Sequence, residues 1–195
     1  GTEYPEARFY IKSEIWDNLS KNFHEGYIIA WRSLTSATNR RTMLATLLPL
    51  IPTCQSIQIL QLDNIDDMLQ ILVLFNSIIF DYIVRLKMAG LDLTQTIIKQ
   101  IPVPKKEIYE SVIVFQDKED TIRNHVYARI KYLYAKDKRV SALFENNDIC
   151  DSTKKSRKQI ISELDCLVGA MYGLSTEQIK EIASTFDKYY TKKEV

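Results

Sequence analysis

The sequence is poor in the residues that build metal and cofactor sites. Of its 195 residues two are histidine, His24 and His125, and three are cysteine, Cys54, Cys150 and Cys166. There is no CxxC pair and no HExxH segment, which removes the common zinc frameworks. An odd, scattered cysteine set makes no disulfide scaffold and is expected of a cytoplasmic, reducing compartment. The five glycines, Gly1, Gly26, Gly90, Gly169 and Gly173, never form a GxG, so no loop of that kind cradles a nucleotide cofactor. No two prolines are adjacent, which excludes the Asn-Pro-Pro-aromatic motif that holds a flipped base. No Asp-x-Lys or Glu-x-Lys triplet occurs, so the carboxylate-and-lysine core of a metal-dependent nuclease is missing. No apolar run approaches the roughly 18 residues of a membrane span. The chain alone is therefore expected to hold no cofactor and to catalyse nothing. With no signal-peptide pattern and an abrupt start at Gly1, it is expected to be a fragment of a longer polypeptide.

Acid is also scarce in one long stretch. Net charge is +1, with 46% hydrophobic and 26% charged residues, ordinary for a globular domain. Any attraction to a polyanion must then come from local asymmetry. From Gly26 to Leu62 there is no Asp or Glu, while Arg32, Arg40 and Arg41 are present. From Tyr82 to Lys106 the one acid is Asp92, against Arg85, Lys87, Lys99, Lys105 and Lys106.

The centre of the first stretch is Trp31 to Thr42. Arg32, Thr35, Ser36, Thr38, Asn39, Arg40, Arg41 and Thr42 lie there between two apolar runs. Arginine with short hydroxyl and amide side chains is the set that holds phosphates and reads base edges. The plainer reading is a solvated hairpin loop rich in turn formers. The second candidate is Lys99 to Lys106, where Lys99, Gln100, Lys105 and Lys106 flank two prolines and can neutralise phosphate, or form an exposed linker. Asn76-Ser77, polar within an apolar run, reads as a buried hydrogen-bond anchor. The Asp117–Asp120 cluster reads as acid at a helix start, and the two histidines as surface or capping residues.

Periodicity predicts an α+β fold: a small mixed β-sheet with packed helices over about residues 1–115, then a helical tail over 116–195 packed on it. Strands are expected at Phe9–Ile11, Tyr27–Leu34, Met43–Leu50 and Ile57–Leu60. Helices are expected over about 13–22, 66–88, 118–135, 155–172 and 176–187, with a turn at 138–144, an extended segment from Leu93 to Val103 and a polar loop over 145–156. Ser175 with Gln178 forms a capping box, and Gly173 ends the helix before it.

In order along the chain, these residues resemble a family. Trp31-Arg32-x-x-Thr35-Ser36-x-Thr38-Asn39-x-Arg41-Thr42, followed by an apolar strand and Pro49, is similar to the region after the catalytic domain in large restriction–modification methyltransferases specific for adenine in DNA, including type II restriction–methylation fusions. Leu74-Phe75-Asn76-Ser77 with Phe80-Asp81-Tyr82 resembles their leucine-asparagine-serine helix, Phe75 replacing the usual leucine. Ile98 to Pro104 resembles their lysine-apolar-proline strand. Arg157, Glu163, Leu164, Asp165 and Met171 to Ser175, ending at Thr185-Phe186, resemble their closing helices. The resemblance spans about Phe9 to Phe186. It implies a target-recognition region that binds double-stranded DNA sequence-specifically and positions it for a catalytic methyltransferase domain of the same polypeptide, which would use S-adenosylmethionine. It gives the 32–42 residues a DNA-side role. Were they shared among enzymes with different targets, they would serve as scaffold or backbone contact, and base readout would fall to other loops, at Thr53–Gln58 or Leu91–Thr96. The alternative is a scaffold domain that docks the catalytic domain or a partner subunit.

Overall fold

A computed structural model describes residues 10–144 and 155–190. Its first sheet grows from three branched, apolar segments. β1 (Tyr27–Arg32) is central, β2 (Ala45–Pro49) and β3 (Ile57–Leu60) flank it, and both pairings are antiparallel. The sheet is thus antiparallel rather than mixed. The polar residues 35–41, expected to join the first two strands, lie within the β1–β2 connection, which runs over residues 33–44. Of the proposed strand at 9–11, Phe9 lies outside the described residues, and Tyr10 and Ile11 are irregular.

Helix α1 (Ser13–Ser20) precedes the sheet and buries none of its residues. The long helix expected at 66–88 is two helices, α2 (Ile65–Asn76) and α3 (Ile78–Lys87), bent by 65°. Ser77 makes the break. Its backbone is extended (φ −77, ψ 151), and its hydroxyl accepts from Phe80 N to cap α3. Periodicity alone misses such a break because the apolar positions continue through it.

Between Leu93 and Val103 a short helix with irregular flanks replaces the expected extended segment. Thr94 caps the short α4 (Gln95–Lys99) through its hydroxyl, and α5 (Lys106–Tyr109) follows. The stretch expected to begin a helix at 118 opens instead with a hairpin. β4 (Val112–Phe115) pairs with β5 (Lys118–Thr121) across Gln116 and Asp117, both at positive φ (54° and 62°). Two consecutive left-handed residues are the geometry of a tight hairpin turn, usually signalled by Asn-Gly, and Gln-Asp hides it. The acids at 117–120 therefore belong to this hairpin. Thr121, not an aspartate, caps α6 (Ile122–Tyr134).

A single-turn 3-10 segment (Ser141–Phe144), α7 (Arg157–Met171) and α8 (Thr176–Ser184) complete the chain. The Ser175–Gln178 capping box is present, a second is formed by Ser156 and Gln159, and Gly173 stands at φ +70. Most of the 145–156 loop lies outside the described residues. The architecture is α+β. The helical tail packs on the first module around one shared core, with Ile29 and Leu47 from the sheet, Met43 from the connection before β2, Leu69, Phe75 and Phe80 from α2 and α3, and Ile130, Leu164 and Leu167 from α6 and α7. No single helix among the described residues is long and apolar enough to cross a membrane; α2 and α3 are apolar together but sharply bent and mostly buried.

Candidate nucleic-acid interface

The 32–42 loop is held from inside. Arg41 is buried (6% exposed) and its Nε donates to Asp81 Oδ2 at 2.6 Å, while Nη2 donates to the Asn76 carbonyl at 2.6 Å. Asp81, fully buried on α3, also accepts from the backbone N–H groups of Thr42 and Met43. Arg85, one turn further, lies 3.6 Å from Asp81 and donates to the Thr42 hydroxyl and to the Asn39 and Arg40 carbonyls. The Asn76 amide clamps Ala45 from both sides, its Oδ1 accepting from Ala45 N and its Nδ2 donating to Ala45 O. The anchor role expected for Asn76-Ser77 is thereby realised. From the far side residues 186–189 pack over the loop. Tyr189 packs against the guanidinium groups of Arg40 and Arg41 (5.1 Å each), Phe186 against Arg85 (3.9 Å), and Lys188 donates to the Thr38 carbonyl.

This geometry divides the predicted site residues. Arg41, Thr35 and Thr42 face inward: Thr35 donates to Thr42 O, and Thr42 donates to Ser36 O. The proposal that they touch DNA is corrected, because a buried, ion-paired guanidinium and hydroxyls spent on the loop's own carbonyls are closed to a duplex. Ser36 is half-buried and its hydroxyl pairs with that of Thr38. Arg32, Thr38, Asn39 and Arg40 remain exposed, Arg40 with one face of its guanidinium on Tyr189. In the second segment Lys99, Gln100 and Lys105 are exposed and Lys106 pairs with Asp67 at 2.8 Å. That segment is the end of α4 and a loop, not a strand, and Tyr172 anchors it by donating to Pro102 O.

The structure joins two loops distant in sequence. Residues 33–35, which continue β1, are laced on both sides. Ser33 N donates to Ser56 O (2.8 Å), Leu93 N donates to Ser33 O (2.7 Å) and Thr35 N donates to Leu91 O (3.0 Å). The loops 53–58 and 91–96 thus meet across β1, and Gln95 Nε2 donates to Gln58 Oε1 at 3.0 Å. Between them runs an open groove lined by Cys54, Gln55, Ser56 and Gln58 of the first segment and by Asp92, Thr94, Gln95 and Thr96 of the second. Its walls carry amides and hydroxyls together with the Asp92 carboxylate and the Cys54 thiol. Gln55, Gln95 and Thr96 are exposed, whereas Arg32 lies on the opposite face of the strand, its Nη2 donating to Arg41 O. A hydrogen bond from Ser56 draws the exposed Cys54 thiol below its ordinary pKa.

Asp81, Asp165 and Phe186 belong to the resembling motifs and Arg85 to the basic stretch, but the contacts they make are not legible in the sequence, nor are those of Tyr189 and Tyr190. A lone acid four residues before an arginine in an apolar helix was the available signal for Asp81 and Arg85. Asp165 accepts from Ile78 N and from the Tyr190 hydroxyl, and burial lifts its carboxyl to about 6. His125 is interior rather than a surface or capping residue, lies 3.5 Å from Ile113 O, and burial lowers its pKa. Among the described residues no cluster of His, Cys, Asp or Glu is arranged to hold a metal. No family model matches the sequence, and comparison with curated proteins and with solved structures found no match.

Proposed function

We propose that this chain is a target-recognition module of a restriction–modification adenine methyltransferase. It presents the groove between residues 53–58 and 91–96 to duplex DNA for a catalytic domain elsewhere in the polypeptide. The observation that carries the reading is the meeting of these two loops, either of which is expected to read bases if the 32–42 residues serve as scaffold. Glutamine amides pair bidentately with adenine, and serine and threonine hydroxyls serve either base or phosphate. Arg32, Arg40 and Lys99 supply exposed positive charge, and few cations imply modest affinity. Log affinity should fall with log salt at a slope of about −0.9 per phosphate neutralised, near −3 for three such contacts.

The docking alternative is favoured by one observation: α1 carries Ile15 and Leu19 at 49% and 58% exposure and buries nothing. Binding of a randomised duplex pool, followed across salt, separates the two. Salt-dependent retention, with a sequence preference altered in Gln55→Ala and Gln95→Ala, supports recognition. Absence of retention at low salt would leave the docking reading.

A further inference from the structure

A second concave site is lined in part by Arg41. It is a crevice of about 240 Å³ walled by Leu72 and Val73 of α2, Ile130 and Leu133 of α6 and Leu164 of α7. Drug-sized pockets run about 300–1,000 Å³, so this one admits a single ring system. Tyr134 and Tyr189 lie among its lining residues.

Its polar lining is almost entirely spent. The Asn76 amide is used on Ala45 and Leu72, the Ser77 hydroxyl on Leu74 O and Phe80 N, and the Asp165 oxygens on Ile78 N and Tyr190. What remains is the Tyr189 hydroxyl, which both donates and accepts, and two guanidinium groups, which only donate. Arg41 has committed Nε and Nη2, and its Nη1 has no hydrogen-bond partner among the described residues. At the exposed end Arg157 donates Nη1 to Leu133 O at 3.3 Å, and its other nitrogens have no partner among the described residues. Exposed Lys136 and Lys138 follow the end of α6, within five residues of Leu133. A ligand matching this set is flat, carries lone pairs on the edge that enters, and is anionic at the end left outside.

We propose that the crevice binds a nucleotide, with the base between the aliphatic walls and the phosphate at Arg157. An edge of acceptors alone, such as N7 and O6 of guanine, suits Arg41 better than the adenine edge, which brings a donor amine. The inference does not depend on duplex binding at the 53–58/91–96 groove. The nucleotide can come from solution or as an unpaired residue of a strand.

Calorimetric titration of the full chain with GMP, with AMP and with a short single strand holding one guanine tests it. One saturable site is expected, with GMP tighter than AMP by severalfold. Arg157→Glu, at an exposed position, should weaken it at least tenfold, and Val73→Phe, which fills the crevice, should abolish it. Binding of the strand but not of GMP, with the same Arg157→Glu sensitivity, supports the site and assigns the source to a polymer. Failure of both ligands to bind, or binding indifferent to Arg157→Glu, overturns it. Equal affinity for GMP and AMP removes the Arg41 contact.

Discussion

At the residue scale the fold turns on Asp81. One buried carboxylate takes the Arg41 guanidinium and two backbone N–H groups, so it fixes where the β1–β2 connection enters β2. A buried pair adds little net stability over an apolar one, but removing one partner strands the other. Arg41→Ala should therefore cost about 3 kcal/mol, read as a lower urea midpoint at unchanged slope. A loss below about 0.5 kcal/mol would show the pair to be dispensable. Asp165 makes the pH prediction. Its folded pKa of about 6 lies above the unfolded value near 3.9, so the native state binds the extra proton between them. Stability contributed by that proton is present at pH 4 and is lost as pH rises through about 6. Thermal melts of Asp165→Asn should lack this decline, and a decline equal to that of the parent would assign it to another group.

At the scale of elements, the short connections position the groove. Ser77 turns α2 into α3 and brings Asp81 beneath the loop, and Thr94 starts the helix that carries Gln95. The boundary between α7 and α8 depends on Gly173, whose φ of +70 no branched side chain adopts without strain. Gly173→Val should lower stability by about 1 kcal/mol or more, and an unaltered melting curve would remove that assignment. Sequence patterns were legible where elements are long and amphipathic or capped by a serine box. β1, β3, α1, α7 and the start of α8 fall within a few residues of expectation. They failed at Ser77, at Gln116-Asp117 and at Thr94-Gln95. There a single hydroxyl or two left-handed residues override a continuing apolar pattern.

Over the whole molecule, exposure was what the sequence could not give. The 32–42 segment has a composition suited to phosphate, yet burial assigns Arg41, Thr35 and Thr42 to the interior and leaves Arg32 and Arg40 outside. No local rule foretells this, because the partners sit about 40 residues downstream on α3 and at the chain end. Each of the loops 53–58 and 91–96 is a readout candidate on sequence alone, while their meeting beside residues 33–35 is a tertiary fact. Cys54 stands at the edge of that groove and Cys166 lies on α7, both exposed. Alkylation of Cys54, followed by peptide mass spectrometry with and without duplex DNA, therefore tests the central claim directly. The account predicts that saturating duplex slows modification of Cys54 several-fold while Cys166 reacts at its former rate. Equal rates at Cys54 with bound duplex would contradict it.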